Sequence, residues 1–194
     1  MKYLMFLVIA FQFSAGLSYA ILTLKWKVRP NRVTWWLWAL APAIWVTATL
    51  SKWFTWSVFP VIIAWLNPFM IFVSSFFNKK SYWKLWKIDY VCLALSLFAT
   101  LLWWITKNPL YAVIFSVIAD VFAWIPTIIK VYKYPETEKQ YLFLIWWLSA
   151  FLWLLNVKSW EMVEYLFPLS LFTLSFIINL MFIYNYVTRK RKTY

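Results

Sequence analysis

The chain has 194 residues, 65% of them in the AVILMFWYC set and 13% charged, with a formal net charge of +13. A soluble domain is roughly 45–50% apolar and about 25% charged, so this chain lacks the polar surface to cover a water-soluble fold. One glycine, one cysteine and no histidine exclude collagen-like and disulfide-rich designs, imidazole metal sites and His-based triads.

A helix needs about 20 mostly apolar residues to cross the hydrocarbon core. Stretches at residues 3–24, 33–50, 54–77, 88–106, 109–129, 141–157 and 162–187 meet or approach that length and predict seven helical spans. A membrane barrel would instead show alternating segments of about 10 residues. The first stretch carries signal-peptide features, with Lys2 ahead of it and Ser18-Tyr19-Ala20 near its end. Its counterpart later in the chain favours a retained helix. The expected fold is therefore an all-α integral membrane protein.

Basic residues set the orientation. Lys25, Lys27, Arg29 and Arg32 follow the first span, and Lys79, Lys80, Lys84 and Lys87 follow the third. Lys130, Lys133 and Lys139 follow the fifth, and Arg189, Lys190, Arg191 and Lys192 form the tail. The opposite face keeps Lys2, Lys52, Lys107 and Lys158. By the positive-inside rule the basic face is cytoplasmic, which predicts a multi-pass protein of the cell membrane with its N-terminus outside and its C-terminus inside. Trp26, Trp83 and Trp86 on the inner side, and Trp53, Trp56, Trp103, Trp104 and Trp160 on the outer side, suit aromatic belts. Topology and contact with anionic headgroups account for the positive charge, so nucleic acid is not an expected partner.

The chain also repeats itself. Residues 4–50 and 110–157 each read as a long helix, a basic loop with a proline and a Trp-rich shorter helix, with KWKVRP at 25–30 over KVYKYP at 130–135. Each half continues into a proline-bearing span, with Pro60 and Pro68 in the first and Pro168 in the second. The expected organisation is two parallel three-helix repeats, residues 1–78 and 109–194, joined by a linker helix within 79–108. Parallel repeats about an axis along the membrane normal are a transporter architecture.

Among the acidic residues Asp120 alone falls at mid-span. A carboxyl there is costly, so it usually faces a cavity or a partner. Ser116, Asp120, Trp124 and Thr127 fall on one face of the fifth helix. Asp120 is expected either to couple transport to a proton or to bind a cationic ligand group, with Trp124 as an aromatic wall. The structural alternative is a carboxyl bonded to a neighbouring helix, for instance to Gln12. Short spans at matching places point to a central site, which draws in Trp45 on the second helix and Trp146 or Trp147 on the sixth. Cys92 is expected to pack as a small apolar group. No metal ligand cluster, cofactor motif or catalytic constellation is expected.

The three-plus-one-plus-three pattern resembles the PQ-loop superfamily, which includes the SWEET sugar facilitators. Trp124-Ile125-Pro126-Thr127-Ile128-Ile129-Lys130 is similar to the PQ-loop signature, with Thr127 in place of the Gln; the first repeat has Ile21 where the proline would stand. The resemblance implies a sugar-type pocket with Asn67 on the third helix paired with Asn179 on the last, completed by aromatics on helices two and six. It also implies hinges at Pro42 and Pro126, with Gly16 as the soft point of the first helix. The expected function is alternating-access transport of a small polar metabolite such as a sugar or amino acid, by a monomer or a homodimer. A membrane receptor or sorting adaptor of the same fold, or a structural membrane protein, is the alternative.

Overall fold

The computed structural model describes residues 2–50, 58–81, 87–158 and 160–191. Within them the chain forms seven α-helices and no strand: α1 (Lys2–Leu24), α2 (Arg32–Leu50), α3 (Val58–Ser75), α4 (Lys87–Thr106), α5 (Pro109–Lys133), α6 (Gln140–Leu154) and α7 (Met162–Arg191). Lys52, Trp53, Trp56, Trp83, Lys84, Trp86 and Lys192 lie outside the described residues, as do the side chains of Lys2, Trp45, Cys92, Trp103, Ser116 and residues 189–191.

By length and composition three stretches can cross a membrane: Tyr3–Leu24, Val113–Lys133 and Glu164–Thr188. Phe59–Ser75 and Gln140–Leu154 are apolar but shorter. At 1.5 Å per residue the 15 residues of α6 rise about 22 Å, against a hydrocarbon core of about 30 Å.

Local chemistry sets several helix ends. Asn108 caps α5, its Oδ1 accepting from the Leu110 N–H at 2.9 Å, and Pro109 opens the helix where no N–H is needed. Lys130 and Lys133 complement its C-terminal dipole. This helix runs a turn beyond the apolar stretch that ends at residue 129. The end of α1 closes through Lys27 N–H on Leu22 O at 2.9 Å and Trp26 N–H on Thr23 O at 3.0 Å, the paired bonds of a Schellman cap. The residue that turns left-handed there is Trp26, at φ 58°. Its indole N–H reaches across to Phe77 O at 3.2 Å.

Helix α3 packs against both α1 and α2, and α7 against both α5 and α6. Contacts between α1 and α6 and between α2 and α5 join these groups, while α4 lies on α5 and, less extensively, on α2. The outward faces are apolar and the interior holds the polar groups. On α1, Phe6, Leu7, Phe13, Leu17 and Ile21 are exposed, whereas Gln12, Tyr19 and Thr23 are buried. Asn67, Asp120, Ser149, Ser175, Asn179 and Asn185 are also buried. A protein in water would place the two sets the other way round.

Candidate central site

A cavity lies where α1, α2, α3, α5, α6 and α7 converge. It offers about 80 Å³ to the centres of water-sized molecules, room for roughly half a dozen waters. Gln12, Pro42, Asn67, Asp120, Trp124 and Trp146 all line it, so six of the residues singled out in the sequence meet at one place. Trp35, Trp38 and Ser175 line it too, and sequence reasoning did not select them. A signal was present: Trp38 sits one turn before Pro42, on the same face of α2.

Asp120 is held among Ala119, Ala123 and Trp124 on the buried face of α5. Its Oδ2 accepts from the Trp124 indole N–H at 3.2 Å. The partner is thus on its own helix, one turn on, rather than Gln12. Trp124 begins an arc of indoles, with ring centroids 4.7 Å from Trp124 to Trp38, 4.7 Å from Trp38 to Trp35 and 6.0 Å from Trp35 to Trp146. Tyr19 extends it, 4.7 Å from Trp35 and 6.0 Å from Trp146.

Asn67 joins α3 to α1. Its Nδ2 donates to Gln12 O at 2.8 Å. Because a carbonyl can only accept, the amide orientation is fixed. Its Oδ1 then lies over Gly16, where an added Cβ would stand 2.1 Å away. Gly16, expected as a soft point of α1, is here the space that Asn67 occupies. Asn179 is not in the cavity wall: its Nδ2 donates back to Ser175 O, one turn earlier in α7, at 2.9 Å. Ser175 lines the cavity in its stead. Pro126 lies within α5 but is not a lining residue.

Beyond the aromatic arc, toward the basic loops, lies a polar lock that sequence reasoning missed. Glu138 is buried and accepts from the Tyr19 hydroxyl at 2.7 and 2.9 Å. Lys130 Nζ sits 2.5 Å from its Oε1 and also donates to Arg29 O. The Arg29 N–H in turn donates to Thr137 O at 3.1 Å. The stretch after α5 is thereby tied to the loop after α1. In the sequence Glu138 reads as a solvated loop charge, and no local spacing reveals a partner 119 residues away.

Two carboxamides clamp the same end of the molecule. Asn78, just past α3, donates to Val28 O at 2.9 Å, and Asn185 of α7 donates to Val131 O at 3.0 Å. Among the described residues no group of three or more His, Cys, Asp or Glu could hold a metal. No protein-family model, curated protein or solved structure matches the chain significantly.

Proposed function

We propose that the chain is a seven-span membrane transporter for a small polar solute, working by alternating access between two parallel three-helix repeats joined by α4. The observation that carries this reading is the cavity itself: Asp120, Gln12 and Asn67 meet among indoles at the junction of six helices. Polar and ionisable groups are expensive inside a bilayer, and a water- or ligand-filled cavity is the usual reason for their presence.

The packing supports the repeat. Exchanging α1 with α5, α2 with α6 and α3 with α7 turns each helix contact outside α4 into another contact of the same set. The Asn78 and Asn185 clamps are similar under the same exchange: Asn78, just past α3, bonds the segment after α1, and Asn185, within α7, bonds the last turn of α5. The Glu138 lock supports a closed cytoplasmic end, so transport requires Tyr19 and Lys130 to release it. The apolar exterior fits lipid, with the basic loops and anionic headgroups at the cytoplasmic face of the cell membrane.

Flux through proteoliposomes tests the reading. Uptake of radiolabelled sugars, amino acids, polyols and amines is expected for one class, with Asp120→Asn reducing it at least tenfold. Flux equal to that of empty liposomes for every class would overturn it.

A further inference from the structure

We infer that the central cavity takes a small organic cation, its ammonium group held between the Asp120 carboxylate and the indoles of Trp35, Trp38, Trp124 and Trp146. Its biological use rests on the transport reading, whereas binding needs only the cavity.

Among the described residues that line the cavity, Asp120 is the one ionisable side chain, with no lysine or arginine beside it. Its one hydrogen-bond partner among the described residues is the neutral Trp124 indole. Lys130, the basic residue of α5 nearest in sequence, is engaged by Glu138 and Arg29 O. A ligand that supplies positive charge completes this site; one that brings a carboxylate or phosphate meets no base. The indole arc adds the second element, since aromatic faces attract ammonium groups and cages of them bind quaternary ammonium.

The remaining polar groups offer both acceptors and donors. The buried Gln12 Oε1 has no partner among the described residues. Pro42 and Pro68 both line the cavity and have no N–H, so the carbonyls of Trp38 and Ala64 lose their helical donor at i+4. On the donor side stand the Gln12 amide, the indole N–H groups of Trp35, Trp38 and Trp146, and the Ser175 hydroxyl; among the described residues the Trp38 N–H and the Ser175 hydroxyl have no partner. A hydroxyl or ammonium N–H on the cation would meet these acceptors. Space for about half a dozen waters limits the ligand to a compact molecule of similar size.

The test uses the full chain in lipid nanodiscs and titration calorimetry with choline, its uncharged carbon isostere 3,3-dimethylbutan-1-ol, glycine betaine and glycerol. Choline is expected to bind at least tenfold more tightly than each of the other probes. Asp120→Asn should weaken choline at least tenfold and leave the alcohol unchanged. Trp146→Leu, at a half-buried position, should weaken choline several-fold and serves where Asp120→Asn fails to fold. Equal binding of choline and its isostere, tighter binding of betaine or glycerol, or no binding of any probe would overturn the cation site. Glycerol or betaine binding would do so with the small-solute reading intact. Asp120-dependent choline binding with no flux of any solute class through liposomes would instead sink transport and keep the cation site.

Discussion

Asp120 and Glu138 are both buried acids, and the protein treats them in opposite ways. Around Glu138 stand a lysine ammonium at 2.5 Å and a tyrosine hydroxyl at 2.7 and 2.9 Å. Around Asp120 stand an indole N–H at 3.2 Å and a cavity. A buried acid with its base and hydrogen bonds in place holds structure together. A buried acid without a base is a standing cost, kept where something else comes to meet it. The first arrangement closes an end of the molecule; the second leaves its centre incomplete.

Substitution should separate the two. The largest effect is expected from Lys130→Met, which strands the Glu138 charge. Removing one partner of a buried pair costs about 3–5 kcal/mol, read by denaturant unfolding in detergent, and Lys130→Met combined with Glu138→Gln should recover much of that loss. A double variant as unstable as Lys130→Met alone would show that Glu138 does not depend on the lysine. Next comes Tyr19→Phe, which deletes the hydroxyl on a charged acceptor and should lower stability by about 1.5–3 kcal/mol. An unchanged unfolding midpoint would place Tyr19 outside the lock.

Gly16→Ala drives a methyl into Asn67 and should cost about 1–3 kcal/mol by overpacking. In a double-mutant cycle, Asn67→Ala should relieve that penalty; strict additivity would mean the two residues do not touch. The smallest stability effect is expected at Asp120→Asn. The amide still accepts from Trp124, so unfolding free energy should stay within about 1 kcal/mol or rise, because no buried ion pair is broken. A loss as large as that of Lys130→Met would erase the distinction between the two acids.

Helices were legible because long apolar runs carry their own signal, and the start expected at residue 109 coincides with the Asn108-Pro109 cap of α5. The inward face of α5 was legible from spacing alone, since Asp120, Trp124 and Thr127 are all buried. Contacts between distant segments were not. Tyr19 and Glu138 reveal nothing of each other along the chain, and Asn179 resembles Asn67 in depth but bonds back to its own helix. Trp26 shows a different limit: a left-handed cap favours glycine, and here the cross-contact to Phe77 O accompanies a tryptophan instead.

Tyr19 belongs to both regions at once. Its ring packs on Trp35 and Trp146 in the cavity's aromatic arc, and its hydroxyl sits on Glu138 in the lock. A single rigid side chain cannot leave one set of contacts while keeping the geometry of the other. The two regions are therefore geared: movement of the indoles is transmitted through one phenol to the basic loops, and packed contacts of this kind switch between discrete arrangements rather than deforming by degrees.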